Sequence, residues 1–325
     1  MKAYVYEFGE HKLKEMPEPS PKANEVVVAL KVVGLNRRDL YIANRLGSDH
    51  EALILGSDGA GVVEAIGDSV TEVKVGDEVI INPSLRWFEK SAAPPEGFEI
   101  LGMPDHGTFA EKIVIDEAQV EPKPSYLSWE EAGVLALAAL TGYRAVVTKA
   151  NVKKGDTVFI PGAGSGVATY MIQFAHSLGA KVITTSRDKN KREEAKKIGA
   201  NLALDTTSNW EEELKDETID IVIDSIGAAT FNRSLNVLKQ GGTFVLFGAT
   251  AGDEVQFNLR ESFYGQFSLL GTTMGSREEL REMLSFIERN KIKPVVGHTY
   301  SFEQIDKAFK LLEVNDQFGK IAVKI

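Results

Sequence analysis

The stretch with the plainest chemical content begins at a short apolar run, Thr157 to Ile160, and passes directly into Pro161, Gly162, Ala163, Gly164, Ser165, Gly166, Val167 and Ala168. Apolar residues then recur at 167, 171, 174, 175 and 178, the spacing of one helix face. Strand, glycine turn and helix in that order bring unpaired backbone N–H groups to a helix start, where a pyrophosphate can bind. The glycines permit the tight turn and the close approach of backbone to ligand. Ala168, one turn on, is small enough to let the helix lie against the strand. About twenty residues further, where an NAD site usually carries an acid for the ribose hydroxyls, the chain reads Ser186, Arg187, Asp188, Lys189, Asn190, Lys191, Arg192. A hydroxyl followed by cations suits a 2′-phosphate, which favours NADPH over NADH. Against this, some of these cations belong to the solvated face of the next helix, and Asp188 opposes a phosphate.

These residues need a frame. After the helix from 167 to 178 the pattern predicts a strand at 181–186, a charged helix at 189–198, and strands at 219–224, 242–248 and 267–273. Short apolar strands alternating with helices specify a doubly wound parallel sheet covered on both faces. Up to about Ile115 the chain instead shows β-branched runs such as EVVVALKVV and DEVIINP between Gly, Pro and Asp signals, a β-rich unit. The change falls near Pro122 to Pro124, before a helix that opens with Ser128 and Glu131 in capping-box spacing. After Gly275 two helices and a last strand, GKIAVKI, are too few to fold alone and are expected to return to the first unit. The expected domains are thus 1–121 with 272–325, and 122–271.

Composition narrows the function classes. The 325 residues carry 37 Lys and Arg against 47 Asp and Glu, a net charge of −10 that counts against nucleic acid or anionic lipid as a partner. There is no cysteine, which removes disulfides, thiolate catalysis and sulfur-held zinc. The five histidines, His11, His50, His106, His176 and His298, show no metal-ligand spacing, so no metal site is expected. No apolar stretch approaches the roughly 20 residues that span a bilayer, and the N-terminus reads as a strand and not as a signal peptide. A cytoplasmic protein is expected.

Taken in order, GLNRRDLYI at 34–42, GSDGAGVVEAIG at 56–67, VGDEVIINP at 75–83, GTFAEKIVI at 107–115, the 127–146 segment, the glycine loop, DSIG at 224–227 and the closing FGKIAVKI resemble the medium-chain dehydrogenase/reductase superfamily, in its zinc-independent quinone oxidoreductase-like branch. The resemblance spans essentially the whole chain. It implies a Rossmann domain inserted into a GroES-like, β-rich catalytic domain, with the active site in the cleft between them. Where the zinc-dependent relatives carry a Cys near the position of Asn36 and a His in a GHE motif, this chain has Asn36 and Ser57.

The resemblance implies further residue roles. Asn36 and Tyr41 match positions lining the nicotinamide pocket, Tyr41 as donor and Asn36 as positioning amide; the alternative for Tyr41 is a half-buried strand aromatic, and for Asp39 a structural cap. Thr141 falls near the nicotinamide, Gly164, Ser165, Gly166, Val167 and Ala168 at the pyrophosphate, and Ser186, Arg187 and Lys191 at the 2′-phosphate. Ser225, Phe247, Gly248, Thr272 and Lys320 complete the cofactor set, with Thr273 beside them, and Thr206 stands where the family often has a Tyr near the adenosine. Trp87, Phe88 and Phe98, within 85–107, either roof the substrate site or pack that loop onto its own domain. The expected activity is hydride transfer from NADPH to a quinone or another conjugated carbonyl. The alternatives are a double-bond reductase of alkenals and alkenones, or an NADPH-bound protein that binds single-stranded nucleic acid. A homodimer joined through the FSLLGTT strand at the sheet edge is implied as well.

Overall fold

The computed structural model describes residues 1–325, the side chain of Ala43 excepted. The chain forms two compact units, Met1–Leu140 with Gly275–Ile325, and Thr141–Met274. The segment from Gly275 groups with the first unit, and the chain first passes to the second unit after Leu140. The reason is the helix Trp129–Gly133, which packs on the strands of the first unit. A Cβ on Gly133 would fall 2.6 Å from the Val32 carbonyl oxygen, and one on Gly34 would fall 2.8 Å from the Gly133 carbonyl, so two glycines bring helix and strand into contact.

The first unit is organised around the ten-residue strand Glu25–Gly34, whose β-branched run favours a pleated, buried surface. The sheet order is Val120–Pro122, Glu78–Ile81, Asp58–Ile66, Glu25–Gly34, Lys320–Lys324 and Val296–Ser301, with Lys112–Asp116 also paired to the central strand. Its apolar core includes Val26, Val28, Leu30 and Val33 from that strand and Phe309 and Leu312 from the C-terminal helix Ile305–Val314. Two registers matter for the site. Gly34 lies opposite Asp58 on one side and opposite Ala322 on the other, both antiparallel. Continuing the second register by two residues brings Asn36 level with Lys320.

The second unit is an all-parallel six-stranded sheet in the order Leu202–Leu204, Lys181–Thr185, Thr157–Ile160, Ile219–Asp224, Leu238–Leu246, Ser268–Gly271. In chain order this is 3-2-1-4-5-6, and the strand order reverses between Thr157–Ile160 and Ile219–Asp224, the switch point at whose carboxyl side doubly wound sheets bind dinucleotides. Helices Gly166–Ser177, Lys189–Lys197 and Ala228–Val237 connect the strands. Among the described residues no helix is long and apolar enough to cross a membrane.

Candidate active site

In the first unit the strand registers assemble a buried polar network. Lys320, 4% exposed, donates from Nζ to the Leu35 carbonyl at 2.8 Å, to Asn36 Oδ1 at 2.5 Å and to Asp58 Oδ2 at 3.0 Å. Asn36, 6% exposed, returns Nδ2 to Asp58 Oδ2 at 3.0 Å. Asp58 Oδ1 accepts from the Leu137 backbone N–H at 2.7 Å. That N–H lies in the first turn of the helix Ala136–Tyr143, where intrahelical acceptors are missing and the helix dipole favours an anion. The long apolar segment at 127–146 therefore breaks after Gly133, and a carboxylate caps the second piece.

Around this network lies the turn Arg37–Leu40. Asp39 Oδ2 accepts from the Asn36 backbone N–H at 2.8 Å, a capping-box bond, while Oδ1 is buried with no hydrogen-bond partner among the described residues. Burial pushes the Asp39 carboxyl up to about 6, opposed by the charge of Arg38. The Arg38 guanidinium donates to Ser57 Oγ at 2.7 Å and to the Leu101 carbonyl at 2.8 Å, and burial lowers its pKa from the ordinary value. Tyr41 is not a half-buried strand aromatic. It follows the turn, is 40% exposed, and its phenol has no hydrogen-bond partner among the described residues.

Lys320, expected among the cofactor ligands, has all three of its ammonium hydrogens engaged inside the first unit. Asp58, Ser57 and Arg38 join the site although sequence alone gives them no role, even with the motifs that contain them in plain view. Their contribution depends on strand register and on a chain reversal, which local spacing does not reveal. Trp87 is buried, meets Phe98 edge-on at 5.2 Å, and its carbonyl accepts from the Arg277 N–H. Trp87 and Phe98 therefore pack the loop onto its own unit, and Phe88 alone of the three is exposed.

The Lys320 ammonium and the Arg38 guanidinium already hydrogen-bond to the side chains of Asn36 and Ser57. No group of three or more His, Cys, Asp or Glu able to hold a metal occurs among the described residues. An amide and a hydroxyl bound to fixed cations do not make a zinc donor set.

In the second unit the glycine loop joins the strand Thr157–Ile160 to the helix Gly166–Ser177. Gly162 adopts φ +84°, a conformation that disfavours other residues, and a Cβ there would approach Ile226 at 2.9 Å. The loop is fastened to the neighbouring strand through Gly162 N to Thr185 Oγ1 at 3.2 Å and Ala163 N to the Thr185 carbonyl at 2.8 Å. Ser165 caps the helix by accepting from the Ala168 N–H at 3.1 Å, and Ala168 is buried, while Gly164, Ser165, Gly166 and Val167 remain partly exposed. Thr141 opens the unit and is half-buried.

At the next strand end the basic segment separates into parts. Asp188 accepts from the Asn190 and Lys191 N–H groups at 2.6 and 3.1 Å, and these bonds, that of Lys191 foremost, hold its carboxylate below the usual range. It is the cap of helix Lys189–Lys197. Arg192 donates to the Ser186 and Arg187 carbonyls and to Asp205 Oδ2, at 2.6, 3.2 and 2.8 Å, and so shapes the loop. Arg187 is exposed, Lys191 half-buried, and Ser186 Oγ accepts from the Asp188 N–H. Thr206 Oγ1 bonds to Thr185 Oγ1 at 3.2 Å. Ser225 and Gly248 meet at the carboxyl ends of adjacent strands, where a Cβ on Gly248 would fall 2.5 Å from the Ser225 carbonyl oxygen; Phe247 N donates to the Asp224 carbonyl. Thr272 N donates to the Leu246 carbonyl at 3.0 Å, and the Thr272 hydroxyl donates to the Thr273 carbonyl. These residues all sit at the carboxyl edge of the sheet.

Comparison with known proteins agrees with this description. Residues 22–125 match the family described as alcohol dehydrogenase GroES-like domain, and residues 166–289 match the family described as zinc-binding dehydrogenase. A zinc-type alcohol dehydrogenase-like protein of Leptosphaeria maculans is 31% identical over 96% of this chain and 94% of its own. An acryloyl-coenzyme A reductase of Sulfurisphaera tokodaii is 31% identical over 97% of this chain and 96% of its own. Among solved structures, an NAD-dependent alcohol dehydrogenase superposes with a TM-score of 0.92 at 35% identity, covering 100% of both chains. A crotonyl-CoA carboxylase/reductase in complex with NADP gives a TM-score of 0.86 at 25% identity, covering 100% of this chain and 94% of that one.

Proposed function

The chain belongs to the medium-chain dehydrogenase/reductase superfamily, an oxidoreductase family, and from that premise we propose that it is an NADPH-dependent, zinc-independent reductase of carbon–carbon double bonds conjugated to a carbonyl, with quinones as a second acceptor class. The observation that carries this reading is the Asn36–Asp58–Lys320 network. It leaves one Asn36 amide hydrogen uncommitted, with the Tyr41 phenol five residues on, as neutral donors in place of a Lewis-acid metal. Such donors can stabilise charge spread over a conjugated system, but they do not activate a simple alcohol for oxidation.

The chemistry NADPH supplies when bound is a hydride, delivered to the carbon β to the carbonyl. Negative charge then develops on the carbonyl oxygen, where the Asn36 amide N–H donates, and Tyr41 gives the proton to the α-carbon. The double bond gains hydride and proton, and the Tyr41 phenolate is reprotonated from water. The Ser186 hydroxyl and Arg187 guanidinium bind the 2′-phosphate, and the Gly164–Val167 backbone holds the pyrophosphate. The names of two relatives, acryloyl-coenzyme A and crotonyl-CoA reductases, support double-bond reduction ahead of quinone reduction. The similar NAD-dependent alcohol dehydrogenase points the other way on cofactor, whereas the Ser186–Arg187 pair supports NADPH here. Reduction of an alkenone with 4-deuterated NADPH tests the reaction. Deuterium on the β-carbon of a saturated ketone is expected; deuterium on the carbinol carbon of an allylic alcohol would refute the proposal.

A further inference from the structure

Asn36 is buried among groups that can each bind only one end of its amide. An ammonium has no acceptor, so the atom facing Lys320 must be the amide oxygen; a carboxylate has no donor, so the atom facing Asp58 must be the amide nitrogen. The amide orientation is therefore dictated by charge on both sides and not by shape, since oxygen and NH₂ are nearly equal in size. Lys320 arrives from the last strand of the chain, Asp58 from the second landmark motif, and Asn36 from the first. The sheet register holds all three together, and the Leu35 carbonyl completes the ammonium's shell.

We propose that Lys320 is a positioning residue: its buried ammonium, paired with Asp58, fixes the Asn36 amide so that its remaining N–H serves the substrate oxygen, and it takes no part in binding cofactor phosphate. This rests on the reading of Asn36 as a substrate-facing donor given above. Without Lys320, Asn36 Oδ1 loses its donor and Asp58 loses a counter-charge, so the amide can turn. Removing both charges leaves no orphaned ion: after Asp58→Asn the single side-chain oxygen can still accept from Leu137 N–H, and the NH₂ then faces Asn36, whose amide must turn to accept from it.

The test uses the whole chain and two variants, Lys320→Ala and the double variant Asp58→Asn with Lys320→Met. Three quantities are read: the Kd for NADPH by nucleotide fluorescence, kcat with an alkenone, and the side-chain amide resonance of Asn36 in protein labelled with ¹⁵N-asparagine, assigned by its loss in Asn36→Ser. In both variants the NADPH Kd is expected to stay within about twofold while kcat falls tenfold or more. The Asn36 amide hydrogens are expected to shift and exchange faster with solvent. Ethylammonium added to Lys320→Ala is expected to restore part of kcat, by refilling the ammonium site. A tenfold rise in NADPH Kd with kcat retained would make Lys320 a phosphate ligand and overturn the proposal, as would an unmoved Asn36 resonance in the folded double variant. If the unsubstituted protein reduces no conjugated acceptor, the functional reading fails on that arm alone, and the resonance arm still decides whether Lys320 orients Asn36.

Discussion

At the scale of single residues, the site is a balance between burial and charge. Asp39 pays for its place in the capping turn: one carboxyl oxygen bonds to the Asn36 N–H and the other has no hydrogen-bond partner among the described residues, so burial raises its pKa from 3.8 to about 6. A raised carboxyl pKa means that the folded state binds the proton more tightly than the unfolded chain. The stability Asp39 contributes is therefore full below its unfolded value and is lost as pH rises through about 6. Thermal unfolding of wild type and Asp39→Asn across pH 4 to 7 should show the difference between them moving against the wild type over that window and levelling above it; a constant difference would contradict the assignment. Arg187 is exposed beside Ser186, with neighbouring Arg192 already committed to Asp205 and two carbonyls. A charge-assisted bond to a 2′-phosphate contributes about 1.5–3 kcal/mol, so Arg187→Ala should weaken NADPH about 10- to 100-fold and NADH hardly at all. Equal weakening of both cofactors, measured by fluorescence titration, would remove Arg187 from the phosphate site.

At the scale of elements, what the sequence disclosed depended on how local each signal was. The glycine loop and the small Ala168 behind it were legible because strand, turn and helix are contiguous, whereas the helix cap made by Ser165 was not read from the sequence. The Ser128–Glu131 capping box was equally legible and is present. The unit to which that helix belongs was not, because its assignment turns on the Gly133–Gly34 approach, a contact across about a hundred residues. The Asn36–Asp58–Lys320 network was hidden for the same reason: its three members come from distant positions and meet only through two strand registers. Gly34→Ala tests this packing directly. Its Cβ would meet backbone atoms of Gly133 and Val134 at 2.8 and 2.9 Å, which cannot move aside as a side-chain tip would. A loss of about 1–3 kcal/mol in denaturant unfolding is expected; an unchanged midpoint would show that the helix does not seat where described.

At the scale of the whole molecule, both edges of the parallel sheet are open among the described residues, Leu202–Leu204 at one side and Ser268–Gly271 at the other, and the second has exposed apolar residues around it. Ser268–Gly271 pairs on one flank only, with Leu238–Leu246, and Leu269, Leu246, Phe263 and Tyr264 around it are exposed. An unpaired, apolar edge invites association, and pairing with a second copy about a two-fold axis would close it. Sedimentation at micromolar concentration should give a dimer, and Leu269→Lys should shift it toward monomer; a monomeric wild type would contradict this. The second unit carries the glycine loop and the first carries Asn36 and Tyr41. The most direct measurement sets NADPH against NADH as reductants of an alkenone, an acryloyl thioester, a naphthoquinone and a saturated aldehyde, each with and without a zinc chelator. The account predicts turnover of the conjugated acceptors with NADPH, indifferent to chelation, and none of the aldehyde. Reduction of the saturated aldehyde that is abolished by the chelator would contradict it.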